Sequence, residues 1–193
     1  MIYDVQALRI KYKEYSNINQ KVSLDAKNGK LIRIKRGLYT DDLKRDSLVI
    51  ANVCYSPSYI SFEYALSFYG LIPEHVSMFT SASFSKKNNK KYQLDNACFE
   101  YRSIPKNVFY KGVTFLHTEN GIRYKIATKE KALCDLLYSM YPVRTIKDLK
   151  VMLFEDLRID EEEFYELDFQ FIKNIANDYH SNTLYVLVKL ING

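Results

Sequence analysis

A chain of 193 residues with 47% apolar and 26% charged side chains has the balance of a folded globular protein, and its 28 Tyr and Phe residues can fill a core without Trp, which excludes a disordered chain. Its longest apolar runs, such as LVIANV, fall far short of the roughly 20 residues of a membrane-spanning helix. The net charge of +5 is unevenly spread: residues 1–45 hold 11 Lys/Arg against 5 Asp/Glu, and residues 150–193 hold 4 against 9.

The length suits either one medium domain or a unit of about 45 residues joined to one of about 150. The first residues, MIYDVQALRIKYK, lack an apolar signal core and a small-residue cleavage site, so a cytoplasmic protein is expected. Cys54, Cys98 and Cys134 lie far apart without a Cys-x-x-Cys or Cys/His cluster. Cys54 and Cys134, within apolar helical patterns, read as small buried hydrophobes in a reducing compartment, and neither zinc nor another cofactor is expected.

From Tyr3 to Tyr15, Val5, Leu8, Ile10 and Tyr12 alternate with charges and predict a short helix. Ser16-Asn17 offers a break and a cap for a second helix, INQKVSLDAKNGK, with Ile18, Val22, Leu24 and Ala26 as candidate inward residues. Asn28-Gly29 ends it, and LIRIKRGLYT follows with strand character and a bend at Gly37. That strand carries Lys30, Arg33, Lys35 and Arg36 within seven residues, so one face is apolar and the other cationic. A concentrated basic field of this kind is the footprint of a polyanion partner.

Helix, turn, helix and basic ribbon is the order of a winged helix-turn-helix reduced to its last two helices and wing. A helix entering the major groove needs short polar or cationic outward residues, and Asn19, Gln20, Lys21, Ser23 and Lys27 supply them. Lys30, Arg33, Lys35 and Arg36 would reach phosphates or the adjacent minor groove from the wing. The alternative is a solvated amphipathic hairpin whose charges serve solubility.

After a polar connector, TDDLKRD, two helices are predicted on either side of Ser56-Pro57, the second closed by Gly70. Tyr59, Phe62, Ala65, Leu66 and Tyr69 read as a buried stripe rather than a ligand box. From Val76 the texture turns to β, with several antiparallel strands punctuated at Asn88-Asn89 and Asn120-Gly121. The lysine-rich tip SKKNNKK reads as an exposed loop ahead of a phosphate contact. Thr128 caps a helix with an apolar face of Ala132, Leu133, Leu136, Leu137 and Met140. Three more helical patterns follow, TIKDLKVMLFEDL, DEEEFYELDFQFIKNIANDY and NTLYVLVKLI. The acidic run Asp160–Glu163 is explained by helix-start chemistry ahead of metal binding.

Convergent reactive groups do not emerge. No phosphate-loop, dinucleotide, zinc-protease or nucleophile-elbow motif occurs, and His75, His117 and His180 stand alone. His117 and Glu119 flank a predicted turn, where an exposed hairpin end explains them better than an acid/base pair. Asp95, Glu100 and Arg102 have a distant likeness to a metal-dependent nuclease constellation, but Arg102 stands where a Lys is needed and its guanidinium does not deprotonate. A non-enzymatic protein is expected.

The order of GKLIRIKRGLY, IANVCYSPSYISFEYALSFYGLIPE, a β-rich middle and IATKEKALCDLLY resembles the AbiEi-type antitoxins, transcriptional regulators of bacterial type IV toxin–antitoxin and abortive-infection systems. The resemblance covers about residues 17–140. It implies an α+β protein: a winged helix-turn-helix over residues 1–45, then residues 46–193 as a mixed domain with an antiparallel sheet and C-terminal helices. It further implies autorepression at inverted repeats in double-stranded promoter DNA, and an antitoxin that counters a nucleotidyltransferase-like toxin without a stable complex. By position the DNA role falls on Asn19 to Lys27 and Lys30 to Arg36. The competing reading is a protein- or RNA-interaction module in which the basic hairpin docks an acidic partner or structured RNA.

Overall fold

The computed structural model describes residues 1–84, 89–94 and 97–193, with the side chains of 43–46 left aside. The expected SKKNNKK tip and Asn88-Asn89 turn fall largely outside the described residues, as does Asp95.

The chain opens with strand β1 (Ile2–Asp4), helix α1 (Val5–Lys11), helix α2 (Ile18–Lys27), and the hairpin β2 (Ile32–Lys35) and β3 (Leu38–Thr40). Side-chain caps set the helix starts: Asp4 accepts from the Ala7 amide at 2.8 Å and Asn17 from the Gln20 amide at 3.0 Å, each satisfying an amide with no partner inside the helix. α2 stops because Gly29 adopts φ +72°, after which the Lys30 and Leu31 amides both donate to the Asp25 carbonyl. Gly37, at φ +76°, makes the expected bend between β2 and β3. β3 pairs antiparallel with both neighbours, giving the order β1-β3-β2. Tyr3, Leu8, Tyr12, Val22 and Leu31 form a small core between this sheet and the two helices.

Two expectations change here. The first helix starts at Val5 rather than Tyr3, because Ile2–Asp4 is drawn into the sheet opposite Leu38–Thr40. In it Leu8 and Tyr12 turn inward at i, i+4 spacing, and Val5 and Ile10 are 48% and 73% exposed. In α2 the inward row is Ile18, Lys21, Val22, Asp25 and Ala26, so Leu24 is half-exposed instead of buried.

Beyond the hairpin, helix α3 (Leu43–Val53) already includes most of the expected connector. Strand β4 (Ser58–Ile60) stands where the second helix was expected to begin, and α4 (Phe62–Phe68) follows, closed by Gly70 at φ +74°. Strands β5 (Phe79–Ser83), β6 (Lys90–Leu94), β7 (Ala97–Ser103), β8 (Val113–His117) and β9 (Arg123–Ala127) complete a six-stranded sheet in the order β6-β7-β5-β4-β9-β8. The antiparallel expectation is corrected to a mixed sheet, since β4 runs parallel to β9 and β5 parallel to β7.

Helix α5 (Lys129–Ser139) is capped by Thr128 as expected. Then come α6 (Ile146–Lys150), which runs into a π-helical turn over Val151–Asp156, α7 (Glu161–Tyr165), α8 (Phe169–Ala176) and α9 (Asn182–Leu190). Asp160 accepts from the Glu162 and Glu163 amides, the helix-start chemistry read from the acidic run. Asp168 caps α8 and divides in two what the sequence read as one helix.

Neighbouring strand residues face opposite sides of the sheet. On one side the Tyr101 hydroxyl donates to the Ala51 carbonyl of α3, and on the other the Tyr59 hydroxyl donates to Asp135 of α5, so the sheet lies between these helices. Phe62, Ala65 and Leu66 are fully buried with Tyr59, confirming the stripe as core. Cys54 and Cys134 are buried free thiols, and burial raises the pKa of both.

The same core holds a closed polar cluster. The Lys131 ammonium donates to Asp135 at 2.6 Å and to the Tyr179 hydroxyl at 2.5 Å. Asp135 also accepts from Tyr59 at 2.9 Å, Ser61 at 2.7 Å and Tyr179 at 2.6 Å. Burial, then the charge of Asp135, pushes both tyrosine hydroxyls far above their ordinary pKa. Every member has a partner, the condition under which a buried ion pair is tolerated.

Candidate nucleic-acid interface

The first three elements fix how α2 is presented. Asp25 is buried under α1, where it accepts from the Tyr12 hydroxyl at 2.7 Å and the Lys21 ammonium at 2.8 Å. The hydrogen bonds from Lys21, then Tyr12, hold its carboxyl below the ordinary value, while burial and the Asp25 contact raise the Tyr12 hydroxyl. Lys21 is raised in turn, chiefly by the same hydrogen bond. This network locks one side of α2 against α1.

The opposite side of α2 is therefore determined. Asn19, Gln20, Ser23, Leu24 and Lys27 recur at helical spacing on one exposed face. Four of these are among the expected groove-facing residues. The fifth expected groove-facing residue, Lys21, is not on this face: it lies on the inward row and its charge is spent on Asp25. Leu24 was missed because its apolar character assigns it to the core, and only the burial of Asp25 in its place reveals the true phase of the helix.

The hairpin divides its cations in the same way. Arg33 and Lys35 point outward from β2 while Ile34 points inward, and Lys30 and Arg36 are exposed at the two ends of the strand. Lys27, Lys30, Arg33 and Arg36 have no ion-pair partner among the described residues. Lys35 differs. Its ammonium donates to the Val53 and Cys54 carbonyls at 3.0 and 2.9 Å, so it closes the C-terminal end of α3, where carbonyls lack partners within the helix.

Between α1, the start of α2 and the hairpin turn lies an open cleft of about 500 Å³, whose rim includes Arg9, Asn17, Asn19 and Arg36. Asn19, at the start of the exposed α2 face, and Arg36 of the hairpin thus border one concave surface, where a polar group able to meet a base edge stands near cations able to meet phosphates.

Elsewhere, Glu100 and Arg102, weighed and set aside as part of a nuclease-like constellation, are engaged in other contacts. Glu100 pairs with Arg102 at 3.1 Å and with Lys91 at 3.2 Å, and Arg102 also reaches Glu63 at 2.7 Å. No group of three or more His, Cys, Asp or Glu able to hold a metal ion occurs among the described residues. His117 ends β8 opposite Arg123 of β9, at the exposed end of a hairpin. No helix among the described residues is long and apolar enough to cross a membrane. In comparisons with known proteins, no family model matches the chain and no curated protein matches it.

Proposed function

We propose that residues 1–45 are a winged helix-turn-helix that binds double-stranded DNA, and that the protein is a cytoplasmic autorepressor and antitoxin of a type IV toxin–antitoxin system. The observation that carries the DNA reading is the exposed row Asn19, Gln20, Ser23 and Lys27, of which Lys27, together with Lys30, Arg33 and Arg36 of the hairpin segment, has no ion-pair partner among the described residues. The order strand, helix, helix, hairpin, with β3 lying between β1 and β2, supports the same reading. Base readout falls to α2 and backbone positioning to the hairpin. Lys21 and Lys35 act as structural members of the unit.

The antitoxin part rests on the resemblance carried by RGLY, PSYISFEYALSFYGLI and ATKEKALCDLL. Residues 46–193 then counter a nucleotidyltransferase-like toxin without a stable complex and without chemistry of their own.

Fluorescence anisotropy of the full chain, titrated into the duplex upstream of its own gene and into a scrambled duplex across a salt series, tests the DNA reading. Preference for the upstream duplex that weakens steeply with salt is expected. Equal binding to both overturns specific recognition and redirects the basic hairpin to a protein or RNA partner. Co-expression with a neighbouring nucleotidyltransferase-like gene tests the antitoxin reading, which fails if growth arrest is unaffected.

A further inference from the structure

The exposed face of α2 contains one apolar side chain. Leu24 is 50% exposed among Asn19, Gln20, Ser23 and Lys27, one turn beyond Gln20 and next to Ser23. A lone exposed leucine ordinarily has no meaning. Position gives this one meaning, because it occupies the middle of the face whose other members are all polar, with the cationic Lys27 and Lys30 following it on the chain.

The helix also holds Leu24 in place. Its carbonyl accepts from the Asn28 amide at 2.9 Å, and the next residue is the buried Asp25, whose carboxylate is held by both Tyr12 and Lys21. A side chain at that point cannot turn inward without breaking the Asp25 network, so it stays on the outer face at all times the unit is folded.

We infer that Leu24 is a specificity-determining residue that packs against the 5-methyl group of thymine in the major groove. The inference rests on α2 being the DNA-reading helix. The major groove displays hydrogen-bonding edges on every base pair and a single apolar group, the thymine methyl, which is the one feature that leucine can recognise there. Charge complementarity between the flanking cations and the phosphates selects DNA as the occupant of this face.

The test uses the full chain and two variants, Leu24→Ala and Leu24→Ser, of which the first keeps helix propensity. Bound duplexes are selected from a randomised pool by the wild type, and the preferred duplex is then remade with each thymine in turn replaced by deoxyuridine, which lacks only the methyl. Roughly fourfold weaker wild-type binding is expected at one or two thymines, from the loss of one buried methyl contact. The same replacements leave Leu24→Ala and Leu24→Ser unaffected, with salt dependence unchanged. Enrichment of a sequence with no methyl dependence, or methyl dependence that persists in both variants, overturns the role of Leu24 and leaves the DNA reading intact. A pool from which the wild type enriches nothing overturns both.

Discussion

Cations that look equivalent in RIKR are not equivalent in the fold. Arg33 and Arg36 are exposed with no ion-pair partner among the described residues, whereas Lys35 closes the end of α3 through two carbonyls. Substituting Arg33 and Arg36 with Gln is expected to weaken DNA binding at least tenfold at 0.1 M salt with a change in Tm of no more than a degree or two, or about 0.5 kcal/mol. Lys35→Met is expected to do the reverse in part, lowering stability by about 1 kcal/mol through lost charge-assisted hydrogen bonds to the helix end. Thermal melts and anisotropy on the same samples separate the two, and an unchanged melting temperature in Lys35→Met would remove its capping role.

Asp25 gives the N-terminal unit a pH signature. Its carboxyl is depressed by the hydrogen bonds from Lys21 and Tyr12, with Lys30 adding a favourable charge. A depressed carboxyl contributes stability that is fully present above its unfolded value, about 4, and that is lost as pH falls through the folded value. Asp41 behaves similarly, as burial is outweighed by hydrogen bonds from the N-terminal amine and Tyr3. The difference between wild type and Asp25→Asn isolates the first group. The wild type is expected to be the more stable above pH 5, with the gap narrowing below pH 4. A gap independent of pH would show that the loss comes from packing alone.

At the scale of elements, legibility follows the range of the interactions. The caps Asn17, Thr128 and Asp160, the stop at Asn28-Gly29 and the bend at Gly37 are local chemistry and were readable. The phase of α2 was not, because Leu24 outside and Asp25 inside invert the usual apolar pattern to satisfy Tyr12 and Lys21. The Lys21–Asp25 spacing of i, i+4 was the signal that could have found it. β1 and β4 were missed because three-residue strands carry too little periodicity to read. The parallel pairings of β4 with β9 and β5 with β7 join distant segments, which no local pattern encodes.

The buried cluster around Lys131 is likewise assembled from distant elements, and it ties α5, β4 and the turn at Tyr179 together. Lys131→Met would leave Asp135 buried as an uncompensated charge, at a cost of about 3–5 kcal/mol. Urea denaturation is expected to show that loss. DNA affinity of the remaining folded protein is expected to stay within a factor of two, since none of these residues borders the α2 face. A stable variant with impaired binding would instead assign the cluster a part in recognition.

Across the whole molecule, net charge runs from +6 over residues 1–45 through +4 over residues 46–149 to −5 over residues 150–193, so attraction for a polyanion is densest at the start of the sequence and opposed at its end. Counting only sequence, six cations of the expected site, Lys21, Lys27, Lys30, Lys35 included with Arg33 and Arg36, are available for phosphates. The fold removes Lys21 and Lys35 by engaging them with Asp25 and with the end of α3. Each cation that replaces a counterion contributes about −0.9 to the slope of log K against log salt. Four free cations predict a slope of about −3.6 per protein, where six predict about −5.4. Removing Arg33 and Arg36 should bring it to about −1.8. The titration therefore reads the fold as well as the function: a slope near −5.4 would mean that Lys21 and Lys35 leave their partners on DNA, and the capping and buried networks that hold α2 in phase would have to open when it binds.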